Sequence, residues 1–472
     1  MIKKYFQLFL LLLGFSACNN PHLKIEEYIQ SEDGHFWQSI INQHDEVTNV
    51  ALEEVFIDIE NPQQTIDGFG GCFNEMGWEV LQTLPEIERE KVYASLFGMD
   101  DGCRFSLYRV PIGANDYAID WYSHNETPLD FSMEHFSIER DKQRLIPYIK
   151  KALEYNPSLK IFASPWCPPA WMKTNGHYAC RSDQRVNDLP EDKQGNEMVD
   201  QFIMEAPYLE AYALYFSKFI SSYKNEGIPV YSVHVQNEPN SCQNFPSCVW
   251  TPASLARFIG QHLGPKLETD HPDLELWLGT IERPQPERVD EILQNEEARQ
   301  YIDGVGFQWA GKGAIAHVRE TYPHLALMQT ETECGNGANN WAALEHTFDL
   351  MKHYFANGAS SYLYWNMVLD HTGSSQWGWQ QNAMITIDEN KQVVYNPEFY
   401  LMKHFSYFVK KGSHYLKCND GNSIVFLNPD NRLVLVWYNP LTVSVKKTVT
   451  ISGRKVEATI SPKTLSTFCV QL

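Results

Sequence analysis

Positive charge is in short supply along this chain. Its 472 residues carry 38 Lys and Arg against 59 Asp and Glu, for a net charge of −21. No basic patch interrupts the acidity, which excludes a nucleic-acid binder and disfavours a polyanionic substrate. Long apolar runs are also missing. Beyond the first residues no stretch approaches the length of a membrane-crossing helix. The Cys and His residues lack zinc-ligand spacing. No glycine-rich dinucleotide fingerprint stands after the first predicted strand, because Gly68-Phe69-Gly70-Gly71 has the wrong spacing. There is no internal repeat. Ten cysteines leave nine once Cys18 is set aside, and an odd number argues against a fully paired disulfide framework. Cys242 and Cys248 are close enough in sequence to bridge across a loop; most of the others are expected free and buried.

What is present is ordinary for a globular protein, with 43% hydrophobic and 21% charged residues. Aromatic residues reach 13%. They can fill cores, and they can stack on the apolar face of a sugar ring; composition does not separate the two. Lys3 and Lys4 precede the apolar run Leu8 to Phe15, which ends at Ser16-Ala17-Cys18. This describes a secretory signal over residues 1–17. Phe15-Ser16-Ala17-Cys18 resembles a bacterial lipoprotein cleavage box. That resemblance implies a lipidated Cys18 attached to a membrane and facing the periplasm or the cell surface. The alternative is a plain signal peptide with an incidental Cys. Residues 18–50 then read as a tether or loosely packed leader.

From Gly68 to Asn366 short apolar runs alternate with longer amphipathic stretches, a βα rhythm. Eight strands are expected to end near Cys72, Pro111, Pro165, Glu238, Thr280, Trp309, Glu331 and Asn366. Helices are expected over Ile87–Leu96, Arg140–Tyr155, Tyr208–Tyr223, Pro252–Leu263 and Leu344–Phe355. Eight such units over about 300 residues predict a (β/α)8 TIM barrel over residues 67–393, and a doubly wound sheet is the alternative. Residues 394–472 carry short period-two runs separated by turns such as Asn419-Asp420-Gly421-Asn422, which predicts a β-sandwich. Residues 51–66, with Val55–Ile59, could add a strand, so both chain ends would build the small domain.

Polar and aromatic residues crowd the C-terminal ends of the barrel strands, where such folds hold their active sites. The run PVYSVHVQNEP, Pro229 to Pro239, is an alternating strand that stops at a proline. It leaves Glu238 on the strand's lip. The run LALMQTETECG, Leu325 to Gly335, ends another strand at Glu331. Glu333 lies two residues further, where a loop contact or salt bridge is expected. Strands four and seven face each other across a barrel mouth. Two facing carboxyl groups can cleave a glycosidic bond: one protonates the leaving oxygen and the other attacks the anomeric carbon or activates water. Asn237 could bind the sugar 2-hydroxyl. No metal or organic cofactor is implied.

Six segments then resemble glycoside hydrolase family 30, which includes lysosomal glucosylceramidase. They are DGFGGCFNE (Asp67–Glu75), YRVPIGANDY (Tyr108–Tyr117), ASPWCPPAWMKTNG (Ala163–Gly176), QNEP (Gln236–Pro239), QTETECG (Gln329–Gly335) and LYWNMVLD (Leu363–Asp370). The resemblance implies a barrel fused to a β-sandwich through both chain ends, and hydrolysis with retention. It implies Glu238 as acid/base and Glu331 as nucleophile. It places Asp116, Trp166 and Asn237 on the sugar, Trp365 as a floor under the ring, and Arg109 among the carboxylates. It points to a β-glucoside or β-glucan as substrate. Endo-β-1,6-glucanase, β-xylosidase and β-fucosidase are the alternatives, with a non-catalytic sugar-binding lipoprotein behind them. Two departures stand out. Phe307-Gln308-Trp309-Ala310 replaces a His-Trp-Tyr segment, and an Asn-Trp pair is expected as Gln376-Trp377. Phe245 and Trp309 are candidates for the aglycone side.

Overall fold

A computed structural model describes residues 25–32, 38–41, 53–451 and 454–472. The expected signal segment and Cys18 lie outside these residues. Among the described residues no helix is long and apolar enough to cross a membrane.

Eight parallel strands form the centre: β1 Gly68–Cys72, β2 Leu107–Pro111, β3 Lys160–Ser164, β4 Val230–His234, β5 Glu275–Ile281, β6 Gly304–Gln308, β7 Ala326–Glu331 and β8 Ser361–Asn366. Their hydrogen-bonded order is 7-6-5-4-3-2-1-8. Nearly every residue in them is buried, as expected for strands covered on both faces. β1 crosses close to β2: a Cβ on Gly70 would lie 1.5 Å from the Leu107 carbonyl oxygen, so no side chain fits. The last seam, between β7 and β8, is closed differently. Ser360 N donates to Leu327 O at 2.8 Å, but Leu363 N donates to the Gln329 side-chain Oε1 at 2.7 Å. A side chain thus stands in for a ladder carbonyl.

The expected helices form over Glu86–Phe97, Leu145–Tyr155, Ala206–Asn225 and Trp341–Ala356. The one expected over Pro252–Leu263 departs: an α-helix ends at Phe258, a π turn covers Ile259–Leu263, and α-helix resumes at Gly264. Pro265 has no N–H to continue the α ladder, and the wider turn accommodates it.

The small domain has a six-stranded antiparallel sheet in the order 414–416, 423–427, 432–439, 464–471, 25–31, 38–41. A three-stranded sheet of 454–460, 445–451 and 53–56 covers it, the last strand running parallel to its neighbour. Both chain ends therefore build it. The tether expected over residues 18–50 is corrected in part, because Ile25–Ser31 pairs along its length with Thr464–Val470. Its burial explains the miss: Glu27 and Gln30 are buried, so apolar alternation is absent from the letters.

The six-stranded sheet has no solvent face at its centre. Val434, Val436 and Tyr438 pack into the barrel's core, while Leu433, Leu435 and Trp437 pack against the smaller sheet. Residues 397–406, expected as part of the β-sandwich, instead form the helix Pro397–Ser406, wedged between the two bodies. Phe405 lies 6.0 Å from the Phe69 ring of β1 and 6.2 Å from Phe426 of the sandwich. On the same helix Glu398 is fully buried; it accepts from Tyr364 OH at 3.2 Å and Asn382 Nδ2 at 3.0 Å through one oxygen, and its other oxygen has no partner. Burial pushes its carboxyl up to about 7. An unfolded Glu titrates near 4.3, so between these values the native state binds more protons, and stability falls as pH rises through that window. The loss should reach on the order of 3 kcal/mol above pH 7. Glu398→Gln should therefore flatten the decline of Tm between pH 5 and 8; an unchanged decline would show that Glu398 does not cause it.

The nine described cysteines are all free thiols, Cys242 and Cys248 included.

Candidate active site

β4 carries the first candidate. Its ladder ends at His234, but the chain continues along the barrel: Gln236 N donates to Gly279 O at 2.9 Å, Asn237 N turns to Pro165 O at 2.7 Å, and Glu238 N returns to Thr280 O at 3.1 Å. Glu238 has φ +49° and Trp309, just past β6, has φ +46°. Left-handed backbone at a non-glycine residue costs about 1–3 kcal/mol and is tolerated where the surroundings over-determine it. Both residues line the same cavity of about 250 Å³, with Glu331 at the tip of β7.

Arg109 on β2 lies beneath, fully buried. Its Nη1 donates to Glu331 Oε2 at 2.9 Å and to Gln308 Oε1 at 3.2 Å; its Nη2 donates to Asn237 Oδ1 at 2.7 Å and its Nε to Ser164 Oγ at 3.0 Å. The guanidinium carbon sits 4.3 Å from the Trp166 ring centroid. Gln308 completes the network. Its Oε1 takes the Arg109 and Thr330 donors, which turns the amide nitrogen toward the carboxylates. That nitrogen donates to Glu238 Oε1 at 3.1 Å and to Glu331 Oε2 at 3.3 Å, so the two oxygens are at most about 6.4 Å apart. Carboxyl pairs about 5–5.5 Å apart attack sugars directly, whereas about 6.5–9.5 Å leaves room for a water.

The charges are distributed unequally. Glu331 receives donors from Arg109, from Gln308 and from Trp309 Nε1 at 2.9 Å. Burial and the neighbouring Glu238 raise its carboxyl, and Arg109 opposes them. Burial likewise raises Glu238, opposed first by the hydrogen bond from Gln308. Two buried carboxyls this close share protons as a pair. The guanidinium and the indole favour charge on Glu331, leaving the proton on Glu238. Asp116 is raised by burial first and then by Glu331, and its Oδ1 is buried without a partner. It faces the cavity and is free to accept from a ligand hydroxyl. Asn237 Oδ1 already accepts from Arg109, Gln308 and Thr280 Oγ1, which leaves its amide N–H groups for a ligand.

Of the other expected residues, Trp166, Phe245 and Trp309 all line the cavity. Trp365 is fully buried and stacks on Trp166 at 5.3 Å; it is a layer behind the wall, not a surface floor. Gln376 is exposed and outside the cavity lining, and Trp377 packs instead on Trp121 at 4.8 Å. The loop after β8 reaches the cavity through Trp379 and Gln381, two positions beyond Trp377 and five beyond Gln376, because Gly373 and Gly378 turn it at positive φ. Glu333 takes the structural part expected of it, bonding Lys312 and, at 3.0 Å, His346.

The sequence did not single out Glu282, Arg283, Ser241 or Gln243, which also line the cavity. Glu282 follows β5, whose ladder runs on to Ile281 rather than stopping near Thr280. The strand-then-carboxylate pattern that exposed Glu238 would have found it. Its carboxyl, raised to about 8 by burial and by Glu238, accepts from Asn240 N at 3.0 Å and Ser241 Oγ at 3.2 Å.

The family model described as "Glycosyl hydrolase family 30 TIM-barrel domain" matches residues 66–409. The chain belongs to glycosyl hydrolase family 30. It is an O-glycosyl hydrolase that works with retention on a family 30 barrel. It is 29% identical over 423 residues to putative glucosylceramidase 1 of Caenorhabditis elegans, covering 84% of this chain and 78% of the relative. It is 26% identical over 432 residues to endo-1,6-beta-D-glucanase neg1 of Aspergillus fumigatus, covering 86% and 85%. The crystal structure of SrfJ from Salmonella typhimurium superposes with a TM-score of 0.82 at 24% identity, covering 95% of this chain and 100% of that one, a likeness of fold.

Proposed function

We propose that this family 30 enzyme hydrolyses β-D-glucosidic bonds, with Glu331 as nucleophile and Glu238 as acid/base. The observation that carries the reading is the single Gln308 nitrogen held between two buried carboxyls, of which Glu331 alone also takes a guanidinium and an indole donor. In the first step Glu331 attacks the anomeric carbon, the bond to the leaving oxygen breaks, and Glu238 gives that oxygen its proton. The glycosyl ester cancels the charge on Glu331, so the proton affinity of Glu238 drops. Glu238 then takes a proton from the attacking water, and Glu331 leaves as carboxylate. Asp116 and Asn237 hold the ring hydroxyls and Trp166 lines the ring. The cavity's small size suits one sugar ring at its buried end.

A second reading, endo-β-1,6-glucanase, is favoured by Trp379. It is 40% exposed at the cavity mouth, 6.3 Å from the Trp309 ring and 6.4 Å from Phe245, an open platform for a further sugar. A substrate panel separates the two: aryl β-glucoside, β-xyloside, β-fucoside and β-galactoside, gentiobiose, β-1,6-glucan and glucosylceramide. Turnover confined to short or lipid-linked glucosides supports the first reading. Release of oligosaccharides from the glucan, lost in Trp379→Ala with aryl glucoside turnover retained, supports the second. Turnover of no β-glycoside in the panel refutes both.

We also infer export and anchoring through a lipidated Cys18, on Lys3-Lys4, the apolar run and Ser16-Ala17-Cys18. The mature chain should begin at an acylated Cys18 by mass spectrometry, and Cys18→Ser should lose the acyl mass. An unprocessed chain would contradict this.

A further inference from the structure

Beside the active site, and outside its machinery, four thiols surround one buried ammonium group. Lys173 is 2% exposed. Its Nζ donates to Ser247 O at 2.7 Å, to Tyr178 O at 2.9 Å, to Ala179 O at 3.2 Å and to Cys180 Sγ at 3.5 Å. Cys167 Sγ donates at 3.3 Å to the same Tyr178 carbonyl. A buried cation held by carbonyls stabilises an anion placed within reach, and the sulfur within hydrogen-bond reach is that of Cys180.

Cys180 is positioned against a second cysteine by backbone. Its N–H donates to Gln243 O at 2.9 Å, and the Arg181 N–H donates to the same oxygen at 2.8 Å. This brings Cys242, the residue before Gln243, alongside, and the Cys180 Sγ itself lies 3.3 Å from Ser247 O, one of the carbonyls that hold Lys173. Cys180 is buried while Cys242 is half-buried at the surface.

We propose that Cys180 and Cys242 form a peroxide-reactive oxidation site that closes to a disulfide. The Cys180 thiolate attacks one oxygen of hydrogen peroxide; the O–O bond breaks, hydroxide leaves, and the sulfur becomes a sulfenic acid. The Cys242 sulfur then attacks the Cys180 sulfur. The S–O bond breaks, and the oxygen leaves as water with the Cys242 proton. Two thiols and one peroxide give one disulfide and two waters, the peroxide being the oxidant reduced. Selectivity has a physical source. Burial works against ionising Cys180, but the neighbouring Cys242 thiol and the Lys173 charge bring it down to about 5. The other eight described thiols are all raised, Cys242 by the neighbouring Cys180 and the rest by burial first.

The bond would join the segment following β3 to the loop that supplies Gln243 and Phe245 to the cavity wall. The test uses the full chain, reduced, freed of reductant and treated with hydrogen peroxide at low molar excess. Thiol titration should show two thiols lost, peptide mass mapping should show Cys180 joined to Cys242, and dithiothreitol should restore both. Cys242→Ser, at the half-buried position, should give no cross-link and a dimedone adduct on Cys180. The proposal is overturned if another thiol reacts first, if Cys180 joins Lys173, Cys167 or Cys248, or if both thiols survive. None of these readouts uses sugar hydrolysis, so they stand apart from the functional proposal.

Discussion

Glu331→Gln should abolish turnover of every β-glucoside, lowering kcat/KM by about 10⁴-fold or more, the scale on which hydrolases lose activity when their nucleophile is removed. The change is nearly isosteric, so the fold should survive. Glutamine keeps an oxygen for Arg109 Nη1 or Trp309 Nε1, which now hold Glu331 at 2.9 Å each. It cannot form the glycosyl ester. The loss should be the same for good and poor leaving groups, because no leaving group compensates for a missing attack. A thermal melt close to that of the parent would confirm that the chemistry has gone and not the structure. Retention of even a tenth of the activity would remove Glu331 from the nucleophile's role and direct attention to Glu282, the other strand-end carboxyl beside Glu238.

Glu238→Gln should behave differently, and the difference identifies the acid. A general acid contributes about 10²–10⁴-fold, and that contribution is needed only when the leaving oxygen is basic. Alkyl glucosides and oligosaccharides should lose activity on that scale. A dinitrophenyl glucoside, whose phenolate leaves unaided, should still form the glycosyl-enzyme, giving a burst of one phenolate per enzyme followed by slow release. Azide, which needs no general base, should accelerate that release and yield the β-glycosyl azide. The pH profile should also change, since loss of the Glu238 proton no longer sets the alkaline limb. An equal loss for all leaving groups, without azide rescue, would mean that Glu238 positions substrate instead of moving protons.

The barrel was legible in the sequence because its signals are local. The runs leading to Glu238 and Glu331 each break off at a polar group, and that abruptness marks both carboxyls in the sequence. Loops gave less. Trp377 and Trp379 are two residues apart in one loop, and only the turns at Gly373 and Gly378 decide which indole reaches the cavity. The family resemblance places Trp365 as the floor under the ring, yet Trp166, just past β3, stacks on it and lines the cavity in its place. Gln308 was visible as a departure from the family pattern. Its bridging position was not, since it depends on Arg109 and Thr330 fixing which end of the amide faces the carboxyls. Ile25–Ser31 was missed because it buries Glu27 and Gln30, one on each face, and Gln30 is satisfied from hundreds of positions away: its Nε2 donates to Pro397 O at 3.0 Å.

The strand Arg432–Asn439 lies in a sheet that is an inner wall for both halves of the molecule. Successive residues along it therefore answer to different bodies. Enlarging Val434 or Val436 would press on the shell around the catalytic strands, whereas the same change at Leu433 or Leu435 would strain only the outer layer. The small domain is thus not an appendage that evolution or an engineer could exchange for another module, because removing it would expose the barrel's own flank to water.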